Sequence, residues 1–305
     1  QWPGEPMRAF LSALCVLLLT LSAASAADDA RLAYIISLEA YDHPEGTVKR
    51  GSGADTMADA LSAFGYTVQR YENPNKWDLE AILKDIYADS KGAEAAIVYV
   101  SGFALRQDQR SVVLSTNALV GGADTLMARA VETKDIVNAP RARLLNLVIL
   151  DAPDDARTGL GLRNADDFTP FLDAQAPDVP NRIAVYTSAA PNDVYPRLAP
   201  MATPLTFARN FKLFLGRKER TASAFLKKVA ISVFYDSAGR QFPEVTGKLL
   251  APYLMVRKNE VSDITAWLEL QAKPKAEGFE QFIQRFPDSI YIPFARQKLE
   301  ELRAQ

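Results

Sequence analysis

The chain holds one cysteine, Cys15, and one histidine, His43, in 305 residues. A disulfide framework needs paired cysteines and a structural zinc site needs several Cys and His ligands, so both are excluded. Nucleophilic catalysis with a histidine base has a single imidazole to draw on. An excess of charge of one sign is also missing, since 35 Lys and Arg against 37 Asp and Glu leave a formal charge of −2. Nucleic-acid binders carry a basic footprint, so no nucleic-acid partner is expected. The clusters Arg217-Lys-Glu-Arg220 and Lys227-Lys228 are short and interrupted, as solvated helix faces are. Gly51-Ser-Gly53 and Gly159-Leu-Gly161 lack the spacing of phosphate-cradling loops. What remains, 48% hydrophobic and 24% charged residues, is the profile of an ordinary folded protein.

Residues 1–6 read as an upstream remnant and residues 7–26 as a secretory signal peptide. Arg8 supplies the positive region, Ala9 to Leu21 the apolar stretch, and Ala24-Ser25-Ala26 the cleavage site. The apolar run is shorter than the ~20 residues of a bilayer-spanning helix, so no stable membrane span is expected after cleavage. Cleavage after Ala26 removes Cys15 and leaves a mature chain without a thiol. The expected destination is secretion, to the periplasm if the source is a Gram-negative bacterium.

From Arg31 onward, short apolar runs alternate with segments of helical period. Leu32 to Leu38, Thr67 to Tyr71, Ala95 to Val100, Leu144 to Leu150 and Ile183 to Thr187 read as strands, most of them covered on both faces. Ala54, Met57, Ala58, Leu61 and Phe64 mark a helix ended by Gly65. Asn75 caps another with Leu79, Ile82, Leu83 and Ile86 inward. Two more are predicted over Leu205–Leu215 and Ala222–Tyr235. The pattern predicts an α/β domain over residues 28–257 with a mostly parallel sheet. Ligands of such sheets bind beyond the carboxyl ends of the strands, here the loops after Leu38, Val100, Leu150 and Thr187. Residues 263–305 form a tail. Phe279, Phe282, Ile283 and Phe286 stripe one helix stopped by Pro287, and Pro293 starts a second bearing Phe294, Ala295, Leu299 and Leu302. Two such helices cannot bury enough surface alone, so docking on the main domain is expected, with docking on a partner as the alternative.

The strand ends carry a resemblance. Ala95 to Leu105 reads A-A-I-V-Y-V-S-G-F-A-L and Leu147 to Ala156 reads L-V-I-L-D-A-P-D-D-A. These resemble the caspase-like peptidases of the bacterial metacaspase and orthocaspase type, whose corresponding segments end Y-Y-A-G-H-G and read V-I-L-D-A-C-R. Leu32 to Tyr41 is similar to the family's first strand and loop, Ala60 to Val68 to its A-L-x-x-L-G-F-x-V, and Gln241-Phe-Pro-Glu-Val245 to its late Q-x-P-E. The resemblance runs from about Arg31 to Val256 and implies a three-layer sandwich with a mostly parallel sheet, followed by the short helical pair.

Carried over residue by residue, the resemblance places the family's general-base histidine at Phe103 and its nucleophilic cysteine at Pro153. Neither side chain can hold a proton or attack a carbonyl, and proline also lacks the backbone N–H that helps bind an oxyanion. The resemblance thus implies a degenerate catalytic dyad and no cofactor. Substrate-pocket candidates are Asp151, Ala104 and Ser188. Asp151 matches an acidic pocket residue of the family, while a second acidic position falls near Ser52-Gly53. Asp151 has two readings: a pocket carboxylate for a basic side chain, or a strand-end carboxylate accepting backbone N–H bonds.

Substitute chemistries are His43 as base with Ser101 or Ser188 as nucleophile, and a divalent cation at Asp151, Asp154 and Asp155. Against them stand a solvated turn at His43-Pro44 and a solvated loop after Asp151, so no metal site is assigned. The sequence reading is an exported pseudopeptidase that binds a peptide or protein ligand, including an active caspase-like relative. Its alternatives are a residual hydrolase using another residue set and an envelope assembly module acting through the tail.

Overall fold

The computed structural model describes residues 30–49, 51–120, 123–152, 177, 181–189, 205–216, 221–239, 241–256, 263–287, 289 and 291–303. The chain begins with β1 (Arg31–Ser37), β2 (Ala40–Tyr41), β3 (Val48–Lys49), α1 (Ala54–Ala63), β4 (Thr67–Glu72) and α2 (Lys76–Asp89). It continues through β5 (Ala95–Ser101), β6 (Ala104–Gln107), β7 (Arg110–Leu114), α3 (Ala123–Arg129), β8 (Ala130–Glu132), α4 (Thr133–Val137) and β9 (Leu145–Asp151). Then follow β10 (Arg182–Ala189), α5 (Leu205–Leu215), α6 (Ala222–Asp236), β11 (Gln241–Lys248), α7 (Asp263–Ala272), α8 (Ala276–Arg285) and α9 (Ile292–Arg303).

Among the described residues, six strands form the central sheet in the order β11-β10-β9-β5-β1-β4. All neighbours are parallel except β10 and β11. Every residue of β5 and β9 is buried, which is why both read as unbroken apolar runs. Alternate residues feed opposite faces. Tyr34 and Ile36 join Leu79, Ile86, Val112 and Ile136 on one side. Ala33 and Ile35 join Met57, Leu61, Phe211, Phe225 and Val229 on the other. Phe211 and Phe225 meet edge to face at 4.9 Å, worth about 0.5–1.5 kcal/mol beyond their area burial. The result is the expected three-layer α/β sandwich.

Local chemistry sets the helix starts. The Asn75 side chain accepts from the N–H groups of Trp77 and Asp78 and caps α2, as its position predicts. Thr221 accepts from Ala224 N–H at 3.4 Å and opens α6.

Three features depart from the sequence reading. A small antiparallel sheet, β6-β7-β8, covers part of one face. Its β6–β7 turn places Asp108 at φ 51°, a left-handed position that aspartate tolerates. Gln241–Lys248 is a full strand despite Pro243 within it, tolerated because the strand lies at the sheet edge. Among the described residues the tail holds three helices and not two, because the apolar residues of α7 are spread around the helix and leave no stripe to read. Phe279, Phe282, Ala295 and Leu299 are its buried centre, with Trp267 and Leu270 packed against them. Among the described residues this cluster contains no side chain of the main domain.

Candidate functional site at the carboxyl ends of the strands

The sheet's chain order reverses between β1 and β5, since β1 leads outward to β4 and the chain then returns to the other side of β1. The crevice of an open α/β sheet lies beyond the carboxyl ends at such a point. There the loops are tied together. Leu38 N–H donates to Ser101 O at 2.8 Å, and the N–H groups of Glu39 and Ala40 both donate to the Asn73 side-chain oxygen at 2.8 Å. Gly102 follows β5 where a Cβ would lie 2.9 Å from both Leu38 Cδ1 and Tyr41 Oη, so only glycine fits without displacement.

Phe103 has both backbone groups engaged. Its N–H donates to Tyr41 Oη at 2.8 Å, and its carbonyl accepts from Leu114 N–H at 2.9 Å. The ring packs on Tyr41 with centroids 5.1 Å apart and is 4% exposed. It therefore belongs to one face of the core and offers the crevice no titratable atom.

Asp151, the last residue of β9, pairs with Ser101 in the parallel ladder and is fully buried. Its carboxylate accepts from Tyr99 Oη at 2.6 Å, from the Thr187 hydroxyl, and from Gln241 Nε2 at 3.2 Å. The donors sit on β5, β10 and β11, so one carboxylate joins four strands of the sheet. These three donors are all side-chain groups.

The other candidates are scattered. Ala104 pairs with Val113 and is buried in the same face of the core as Phe103. Ser101 is buried between Ser37 and Asp151. Ser188 pairs with Phe242 in the β10–β11 ladder. His43 is a turn residue, its Nδ1 accepting from Glu45 N–H at 3.1 Å and its carbonyl from Gly46 N–H at 3.0 Å. At Ser52, the hydroxyl donates to Glu39 and accepts from Ala54 N–H. Pro153, Asp154 and Asp155 lie outside the described residues. Among the described residues no three His, Cys, Asp or Glu side chains gather as metal ligands, and no helix is long and apolar enough to cross a membrane.

Residues missed in the sequence are the partners. Glu39 was findable, since it directly follows Leu38 in a loop at a strand's carboxyl end. Tyr41, Tyr99, Thr187 and Gln241 were not, because their hydroxyls and amide matter only through neighbours 36 to 90 residues away. As a chemical surface, the described rim has one half-buried carboxylate, Glu39, and a phenol already used by the backbone.

An α/β sandwich whose described sheet has five parallel strands and one antiparallel edge, with its crevice at these loops, defines the class of domain. A family model described as a caspase domain matches residues 30–254, and the chain belongs to that family. A search of curated proteins found no match. Among solved structures, that of pro-sf-caspase-1 is similar at 14% identity, covering 76% of this chain and 93% of that one with a TM-score of 0.48. Caspase-1 from Spodoptera frugiperda is similar at 15% identity, covering 76% of this chain and 92% of that one with a TM-score of 0.47. The Drosophila initiator caspase Dronc is similar at 11% identity, covering 70% and 79% respectively with a TM-score of 0.46.

Proposed function

We propose that this chain is an exported pseudopeptidase of the metacaspase type, which keeps the caspase fold and acts by binding a peptide or protein. The observation that carries the reading is Phe103. The position the resemblance gives to the general base holds a ring buried against Tyr41, with 4% of its surface exposed. Proton transfer needs a group that titrates and reaches the reacting atom, and an aromatic hydrocarbon does neither. The sole cysteine, Cys15, falls in the segment read as a signal, which removes the thiolate that the family's chemistry needs. Export follows from the same segment. A scaffold retains its buried strands whether or not it cleaves, so a binding role is compatible with the intact core.

The test uses the processed chain with fluorogenic peptides ending in Arg or Lys, with and without calcium. No turnover above a heat-denatured control is expected. Turnover that copurifies with the protein and survives His43→Ala and Asp151→Ala would overturn the reading. N-terminal sequencing of the exported protein is expected to begin Ala27-Asp28-Asp29.

A further inference from the structure

Away from the strand-end crevice, one surface joins an open strand edge to an apolar groove. Among the described residues β11 is the terminal strand of the sheet, and α6 immediately precedes it in the chain. Between them lies a cavity of about 640 Å³ whose walls include Lys227, Ile231, Phe234 and Tyr235 from the helix and Pro243, Glu244 and Val245 from the strand. Three of these apolar side chains are unusually open, with Tyr235 75%, Ile231 44% and Val245 38% exposed. That size lies within the roughly 300–1,000 Å³ of small-ligand pockets, and a helix beside an open strand edge is a recurrent cradle for an extended peptide.

Charge selects the occupant. In an antiparallel ladder, directly opposed residues share a face, so Glu244 stands with its register partner Tyr186 and Val245 with Val185. Val185 belongs to the face that carries Phe225 and Val229 of α6, and Tyr186 to the opposite one. Glu244 thus borders the groove from the strand, but its register puts it on the Tyr186 face, opposite the one that packs on α6. Lys227 is the cation at the groove, and it has no carboxylate partner among the described residues.

A second copy pairing edge to edge fits less well. Pro243 removes one donor from the strand, and Gly247 takes a φ of 85° that breaks the extended run. Such breaks blunt an edge against long pairing but leave Val245 between them available for a short one.

We infer that this groove binds a short, extended, apolar peptide segment of a partner protein, with the segment's terminal carboxylate meeting Lys227. Alternate apolar side chains enter between Ile231, Tyr235 and Val245, and the backbone lies along β11. The site is separate from the strand-end crevice, so it stands whether or not that crevice retains activity.

The test uses the full processed chain and fluorescein-labelled heptapeptides with Val, Ile or Phe at alternate positions. Each is made with a free C-terminal carboxylate and as the amide, and binding is followed by anisotropy. Saturable binding is expected, with the amide about two- to fivefold weaker, the size of an exposed charge pair. Lys227→Glu should weaken the carboxylate peptide and abolish its advantage over the amide. Ile231→Asp, at an exposed position that leaves the core intact, should cost about tenfold or more. Circular dichroism on each variant confirms the fold, and Tyr235→Ala serves as a second disruption. No saturable binding, or binding indifferent to Lys227→Glu and Ile231→Asp, would overturn the inference. So would a dimer in sedimentation velocity that Ile231→Asp dissociates, because the groove would then belong to a second copy.

Discussion

The backbone amide of Phe103 and the phenol oxygen of Tyr41 lie 2.8 Å apart, and their rings pack at 5.1 Å. Position 103 is thereby held twice, once by its backbone and once by its side chain. A histidine placed there would not offer a base to the crevice. Phe103→His is expected to fold less stably by about 1–3 kcal/mol, the cost of a buried polar group without a designed partner, and to show no peptide hydrolysis. Phe103→Ala should cost about 3–5 kcal/mol through the cavity it leaves. Urea unfolding of both, with the peptide assay on the first, checks this.

Asp151 is expected to act on stability before anything else. Asp151→Ala leaves the hydroxyls of Tyr99 and Thr187 and the Gln241 amide without their acceptor. A loss of about 3 kcal/mol or more is expected, because each abandoned buried donor keeps its desolvation cost. Asp151→Asn retains an oxygen acceptor and should lose less. A urea series ordering the wild type, Asn and Ala variants in that sequence supports the role, and equal midpoints would refute it.

Arg31 fastens the two ends of the domain. Its guanidinium donates to the carbonyls of Phe64, at 3.0 Å, and Met255, at 2.6 Å, and stacks 4.0 Å over the Tyr66 ring. A planar fork can do all three at once, whereas an ammonium cannot. Arg31→Lys is therefore expected to destabilise nearly as much as Arg31→Ala. Amide exchange should rise first around Tyr253 to Val256, which hydrogen-exchange mass spectrometry can localise.

Alkaline pH should unfold the protein through its phenols. Burial raises the pKa of Tyr186 to about 12, helped by the charge of Glu244. Burial likewise raises Tyr34 and Tyr253, with Asp89 adding to the first and Tyr66 to the second. These groups fold protonated and neutral, and ordinary tyrosine titrates near pH 10 in the unfolded chain. Their stabilising effect is complete below about pH 10 and falls as pH rises toward the folded pKa, because the unfolded state releases its protons first. Tyrosinate absorbance at 295 nm should thus appear together with loss of near-ultraviolet dichroism between about pH 10 and 12. Full ionisation with the dichroism intact would contradict this.

In the tail, Trp267 stacks on Tyr291 at 5.2 Å and meets Phe279 and Phe282 at 6.0 and 5.8 Å. Trp267→Ala is expected to melt α7 to α9 while leaving the unfolding free energy of the main domain, from its urea transition, within about 0.5 kcal/mol, as for sites without shared partners. A matching fall in both transitions would show that the tail docks on the main domain.

The layered α/β architecture was legible because strands buried on both faces must be apolar throughout, and helices buried on one face must repeat every three to four residues. The scarcity of cysteine and histidine needed no coordinates to exclude disulfides and zinc. Short elements escaped. β6 to β8 are too brief to show a period, the mixed faces of α7 hide its helix, and Pro243 disguises an edge strand. The roles of Phe103 and Asp151 came from folding, since a side chain's chemistry depends on what chain closure brings against it. Tyr41 lies 62 residues before Phe103, and Gln241 lies 90 residues after Asp151. No local pattern encodes such meetings. Composition limited the chemistry available to this chain, and packing assigned it: one ring to the core, and one carboxylate to the joint between strands.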